Sequence, residues 1–146
     1  MLFRSQMYGA AVDAFGSADG AVMCAAVADY TPEVVADSKI KKGEGDMVIK
    51  LKRTRDIAAE LGREKGSRLL VGFALETDNE LENAEVKLQK KNFDFIVLNS
   101  LRDSGAGFQV DTNKVSIIDA TTRQDLPLLS KKEVAERIVD KIESII

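Results

Sequence analysis

The chain has 146 residues, of which 45% are hydrophobic and 31% charged, a composition typical of one soluble globular domain with its own core. The formal net charge of −3 gives no general attraction to nucleic acid or to a membrane surface. The apolar runs are too short to span a membrane and no signal peptide is recognisable, so we expect a cytoplasmic protein. With one cysteine and no histidine, an intrachain disulfide, a Cys/His zinc site and histidine-dependent nucleophilic catalysis are excluded.

The first fifty residues predict one helix and two strands. Apolar side chains at helical spacing predict a helix over residues 5–15. The continuous apolar run "GAVMCAAVA" over 20–28 predicts a strand covered on both faces, as in a parallel sheet. Cys24 lies inside this run, so we expect a small core residue. The alternating segment "DMVIKLKR" over 46–53 predicts a strand with one solvated face.

Helices and strands then alternate along the chain. A short helix is predicted from about Asp56 to Lys65, with Thr54 as its N-cap. The buried strand "RLLVGFA" (68–74), a helix over 79–91 and the strand "FDFIVLN" (93–99) follow. This order predicts an α/β fold with a Rossmann-like, mostly parallel sheet and flanking helices, formed by residues 1–146 as a single domain.

The last third of the chain departs from the alternation. A loop is predicted over 103–108, after which "DTN" (111–113) reads as the turn of a β-hairpin excursion that includes the strand "KVSIID" (114–119). Ser130 and Glu133 have the spacing of a capping box. We therefore expect the final helix to begin there.

Three predicted strands end in polar residues, namely Asp29, Glu76 with Thr77, and Asn99. The carboxyl ends of parallel strands meet at one edge of a sheet, where ligands bind in open α/β folds. Each residue also has an ordinary explanation: Asp29 as a turn or cap residue, Asn99 as the cap of the next loop, and Glu76 as a solvated side chain. Their convergence predicts a ligand site.

Lysines point to an anionic ligand. Lys87 and Lys91 share a helix face without an acidic residue three or four positions before them, and such a pair repels by about 0.2–0.5 kcal/mol. The basic segment "KIKK" (39–42) reads as a loop. For either cluster taken alone, plain solvated surface is the alternative explanation. No strong phosphate-binding fingerprint is present, and the residues alone do not distinguish CTP from ATP.

Four segments, "CAAVADY", "KIKK", "VGFALET" and "KNFDFIVLN", together resemble phosphopantothenoylcysteine synthetase, the phosphopantothenate–cysteine ligase of coenzyme A biosynthesis. The resemblance covers nearly the whole chain. It implies joining of 4′-phosphopantothenate to cysteine with CTP and Mg²⁺ through an acyl-cytidylate. It also implies a homodimer, which we expect to be built from the strands at 46–53 and 114–119, and a flavin-dependent decarboxylase domain upstream in the natural protein.

The resemblance also implies roles for individual residues. Lys39 matches the essential lysine of a mobile loop, and Asn99 occupies a characteristic position without an assigned role. Arg55 stands where the family usually has proline. No protein metal ligand is implied, because phosphate oxygens would hold most of the Mg²⁺. The residues that match nucleotide-binding positions are Met23, Cys24, Ala25, Asp29, Arg55, Asp56, Ile57, Ala58, Phe73, Lys87 and Lys91.

One family feature is absent from the sequence. The family's amino-terminal loop of the type "SN-x-SSG-x-MG", which helps to bind phosphopantothenate, has no counterpart in these residues. We therefore expect a fragment of the ligase domain. Two alternatives stay open: a catalytically incomplete nucleotide-binding and dimerisation module, and a regulatory α/β domain that binds no nucleotide.

Overall fold

The computed structural model describes residues 4–42, 45–76, 78–100 and 110–146, apart from the side chains of Arg4, Ser5 and Ser100. The predicted loop at 103–108 and Thr77 therefore lie outside the described residues. The described residues form four helices and nine strands, in the order α1 (Arg4–Phe15), β1 (Gly20–Met23), β2 (Tyr30–Pro32), β3 (Leu51–Arg53), α2 (Ile57–Glu64), β4 (Leu69–Glu76), α3 (Glu80–Lys90), β5 (Phe95–Ser100), β6 (Thr112–Asn113), β7 (Val115–Asp119), β8 (Arg123–Asp125), β9 (Leu129–Ser130) and α4 (Lys131–Glu143).

A five-stranded sheet in the order β1-β4-β5-β7-β8 forms the centre of the fold. Strands β1, β4 and β5 pair in parallel, while β7 pairs antiparallel with both β5 and β8. Only β7 therefore runs against the other four strands, which confirms the predicted α/β fold with a mostly parallel sheet. No helix in the described part of the chain is long and apolar enough to cross a membrane.

The central strands are apolar on both faces because helices cover both. Successive strand residues point to opposite faces, so Phe95 and Val97 pack in the core that includes Val134 of α4, while Ile96 and Leu98 pack in the core beneath α3. This double coverage confirms the prediction that β4 and β5 are buried strands. The capping box of α4 is also confirmed.

The strand predicted over 20–28 is shorter and less covered than expected. β1 ends at Met23, and residues 24–28 are exposed and lie outside any strand. Among the described strands β1 pairs only with β4, so it lies at the sheet edge. The expectation that Cys24 is a core residue is therefore wrong, since this residue is exposed.

The predicted cap of α2 is also wrong. Asp56 is the N-cap, and its Oδ1 accepts a hydrogen bond from Ala59 N at 3.1 Å. Thr54 instead donates from Oγ1 to Ala28 O at 2.9 Å and from its backbone N to Asp29 O at 2.9 Å. Thr54 therefore ties the stretch after β1 to the beginning of α2.

Residues 30–42 and 45–53 lie in an excursion from the central sheet. Of the predicted strand at 46–53, only Leu51–Arg53 is a strand, and it pairs antiparallel with β2 in a two-stranded ribbon. The preceding apolar side chains of Met47, Val48 and Ile49 are exposed. The segment before β3 therefore presents apolar surface.

The hairpin prediction at "DTN" is wrong because β6 pairs with β9, whereas β7 joins the central sheet. The apolar side chains of β7 are buried in the core, so they offer no surface for the dimer contact expected of this strand. The actual hairpin joins β7 to β8. Asp119 closes its turn by accepting hydrogen bonds from Thr121 N at 2.8 Å, Thr122 N at 2.7 Å and, from α4, Lys141 Nζ at 2.7 Å.

Candidate functional site

A cavity of about 140 Å³ lies at the carboxyl ends of β1 and β4, bounded by α1, α2 and α3. This is the position at which open α/β sheets bind ligands. Nine of the eleven residues predicted to bind nucleotide line it. The full lining is Met7, Met23, Ala25, Val27, Asp29, Asp56, Ile57, Ala58, Phe73, Lys87, Lys91 and Phe93.

Two segments of the chain that hydrogen bonds hold in place form one side of the cavity. The chain leaving β1 carries Ala25, Val27 and Asp29 past the cavity, and the hydrogen bonds from Thr54 fix its end. The first turn of α2 then presents Asp56 and the two residues after it. The partial positive charge of this helix amino terminus already faces the carboxylate of Asp56, and Asp29 adds a second carboxylate on the same side.

The opposite side depends on a close approach between β4 and the aromatic ring of Phe93. A Cβ at Gly72 would lie 2.3 Å from Phe93 Cε2, a separation that packed atoms do not reach. Gly72 therefore allows the ring to lie against the strand, where it walls the cavity. Sequence reasoning did not assign Phe93, Met7 or Val27 to the site, although Phe93 belongs to one of the four segments that carry the family resemblance.

The two lysines that line the cavity are ion-paired. Lys87 Nζ pairs with Glu76 Oε1, and Lys91 Nζ lies 3.2 Å from Asp56 Oδ2. The interpretation of an uncompensated cationic cluster on α3 is therefore wrong. That interpretation rested on the absence of an acidic residue three or four positions before either lysine. Spacing along α3 could not show the carboxylates that β4 and the cap of α2 supply.

Five predicted site residues do not line the cavity, and one of them, Glu76, instead pairs with Lys87. Cys24 lies between two residues that do, and Lys39 is exposed in the excursion after β2. The guanidinium of Arg55 lies over the ring of Tyr8, 5.0 Å from its centroid. Asn99 Oδ1 is buried and has no hydrogen-bond partner among the described residues. The structure thus gathers most of the predicted nucleotide residues and leaves the loop lysine apart.

A larger cavity of about 260 Å³ lies elsewhere, between α3, β5, β7 and β8. None of the predicted site residues lines it. Its Asp125 accepts hydrogen bonds from Ser116 Oγ at 2.5 Å and Arg123 Nε at 2.8 Å. Because these polar groups already satisfy one another, the cavity at the ends of β1 and β4 is the stronger candidate.

Comparison with known proteins agrees with the family resemblance of the sequence. Residues 4–146 match the family described as the DNA/pantothenate metabolism flavoprotein C-terminal domain. The chain is 53% identical over 144 residues to a cysteine/cysteine sulfinic acid decarboxylase from an unknown prokaryotic organism, covering 97% of this chain and 40% of that protein. It is 42% identical over 142 residues to the coenzyme A biosynthesis bifunctional protein CoaBC of Bacillus subtilis (strain 168), covering 97% and 35% respectively.

A solved structure is similar over the same share of this chain. The crystal structure of the C-terminal domain of a coenzyme A biosynthesis bifunctional protein CoaBC superposes with a TM-score of 0.77 and 38% identity. The match covers 97% of this chain and 61% of that one. The chain therefore spans less than two thirds of each of these three proteins.

Proposed function

Because the chain belongs to the DNA/pantothenate metabolism flavoprotein C-terminal domain family, we propose that it forms the nucleotide-binding part of a phosphopantothenate–cysteine ligase of coenzyme A biosynthesis. Its substrates would be CTP, 4′-phosphopantothenate and cysteine. The observation that carries this proposal is the cavity at the ends of β1 and β4, where nine residues predicted to contact nucleotide converge.

The proposed reaction has two steps, and charge neutralisation assists the first. A carboxylate oxygen of 4′-phosphopantothenate attacks the α-phosphorus of CTP, the α–β phosphoanhydride bond breaks and pyrophosphate leaves. The cysteine amine then attacks the carbonyl of the acyl-cytidylate, CMP leaves and the amine loses a proton to solvent. Lys87 and Lys91 would neutralise the phosphates during the first step. The backbone at Met23–Ala25 and Asp29 would contact the cytosine ring.

Mg²⁺ is expected to enter with the nucleotide. Within the described residues there is no group of three His, Cys, Asp or Glu side chains that could hold a metal ion. The cavity itself offers two carboxylates, Asp29 and Asp56. This donor set fits an ion that keeps most of its ligands from phosphate oxygens and water, as Mg²⁺ does in many nucleotide sites.

Lys39 would act after binding. It lies in an exposed stretch outside the cavity, so the proposal requires the loop to close over the nucleotide. That same position favours the alternative function, a nucleotide-binding and dimerisation module without turnover. In a catalytically active protein, Lys39→Ala should lower the rate more than it lowers CTP affinity; an unchanged rate would remove the role of Lys39.

Thermal unfolding with added nucleotides tests the binding site. With Mg²⁺ present, CTP should raise the melting temperature of the 146-residue chain more than ATP, GTP or UTP does, since ligand that binds only the folded state stabilises it. Lys87→Ala should reduce the shift. Lys90→Ala is the matched control, because Lys90 is exposed on the same helix and does not line the cavity.

Three results would limit or overturn the proposal. Equal shifts for all four nucleotides would leave only a polyphosphate site, and no shift would favour the regulatory domain without nucleotide. Formation of phosphopantothenoylcysteine from the three substrates, followed by mass spectrometry, separates the ligase from the binding module. Binding without product would favour the module.

A further inference from the structure

The carboxylate of Glu76 is held beside the cavity by the end of β4 and the first turns of α3. Glu76 Oε1 accepts a hydrogen bond from Lys87 Nζ, and Glu76 Oε2 accepts one from Asn83 Nδ2 at 3.3 Å. Asn83 Nδ2 also donates to Asp78 O at 2.9 Å. The side chain of Glu76 is 14% exposed, whereas that of Lys87 is 41% exposed. The carboxylate is therefore anchored, and the lysine is the partner that can move.

We propose that Glu76 is a positioning residue that holds Lys87 at the cavity and competes with the nucleotide phosphates for it. This inference rests on the proposed function, because it concerns ligand binding in the same cavity. The ammonium of Lys87 is neutralised by Glu76, as that of Lys91 is by Asp56. A phosphate group must then share or replace a carboxylate partner at each lysine.

The competition follows from the chemistry of the pair. An ammonium has three hydrogens to donate, so Lys87 can turn toward a phosphate while it stays near Glu76. The carboxylate, however, repels an approaching anion, and partial burial weakens the screening of that repulsion by water. Glu76 therefore orients the lysine at a cost in anion affinity. A residue with only a structural role would instead lower affinity when it is replaced.

Calorimetric titration of the 146-residue chain with inorganic pyrophosphate tests the competition. Glu76→Gln keeps the side-chain size and a hydrogen-bond acceptor but removes the charge. We expect it to tighten pyrophosphate binding about three- to five-fold, the upper end of the scale for an exposed ion pair. In a Lys87→Ala background the same substitution should change affinity by less than about two-fold, because the lysine for which Glu76 competes is absent.

Glu85→Gln is the charge-matched control. Glu85 is exposed on α3, so its removal changes the net charge equally without touching Lys87, and screening at physiological salt should keep the effect below about two-fold. Weaker or unchanged pyrophosphate binding by Glu76→Gln would refute the competition and leave the proposed function standing. A gain that persists without Lys87 would refute it as well. Absence of pyrophosphate binding by every variant and by the wild-type chain would overturn the anion site, and the proposed function with it.

Discussion

Replacing Gly62 with alanine tests whether the close contact between α2 and the end of α3 maintains the candidate site. A Cβ at this position would lie 1.9 Å from Lys91 O and 2.8 Å from Lys91 C. Both are backbone atoms, so no side-chain rotation relieves the clash, and the two segments must separate by about 1 Å. Lys91 lines the cavity and pairs with Asp56 at the other end of α2. The separation should therefore weaken the site as well as the fold.

The expected net destabilisation by Gly62→Ala is about 2 kcal/mol. Alanine favours a helix by about 1 kcal/mol relative to glycine, whereas overpacking costs about 1–3 kcal/mol. The separation would also disturb the hydrogen bond from Asn92 Nδ2 to Gly62 O, 2.9 Å long, which contributes about 1 kcal/mol. For a chain of this size the melting temperature should fall by about 4–8 °C.

Thermal and urea unfolding followed by circular dichroism measures this loss, and Gly9→Ala in α1 is the matched control. A Cβ at Gly9 would meet no atom of the described residues within 4 Å, so alanine there should stabilise the chain by about 0.5–1 kcal/mol. If Gly62→Ala were as stable as the wild-type chain while Gly9→Ala showed its gain, the contact would not restrict this position and the reasoning would be refuted.

Three further predictions concern the turn, the thiol and association. Burial alone would raise the pKa of Asp119, but hydrogen bonds, foremost that from Lys141, hold it well below its ordinary value of 3.8. The ionised carboxylate therefore stabilises the fold above about pH 4, and this stabilisation is lost as the pH falls. Measured by urea unfolding, Asp119→Asn should lower the free energy of unfolding by about 1–3 kcal/mol at pH 7 and by less at pH 3. An equal loss at both pH values would contradict the assignment. Cys24 is exposed next to the cavity, so its thiol should react with a thiol reagent in the absence of denaturant, and bound CTP should slow that reaction. Labelling of Cys24 only after unfolding would contradict the structure. We propose a homodimer through the exposed apolar segment before β3. In sedimentation equilibrium Val48→Glu should therefore shift the chain toward monomer, whereas Val139→Glu, on the exposed side of α4, should not. A wild-type chain that stays monomeric at high concentration would refute the proposal.

The similarity of Cys24–Tyr30 to a family segment was visible in the sequence, yet its conformation was not. An apolar run reads as a buried strand whether or not other elements cover it. The structure places β1 at the edge of the described sheet and leaves residues 24–28 exposed. The same limit applies to the cap of α2, where Thr54 and Asp56 were both suitable residues. Their roles were decided by Ala28 and Asp29, which lie far away in the chain.

The sequence by itself determined the features that depend on neighbouring residues. Periodicity and spacing over a few residues predicted the buried strands β4 and β5, the helix α3 and the capping box at Ser130. The resemblance to the ligase family identified most of the residues that line the cavity. Only the tertiary structure decided which carboxylates neutralise Lys87 and Lys91, because Glu76 and Asp56 belong to other elements and are brought to α3 by the packing of β4 and α2. Charge pairing across elements depends on distance in space, which spacing along one helix does not encode.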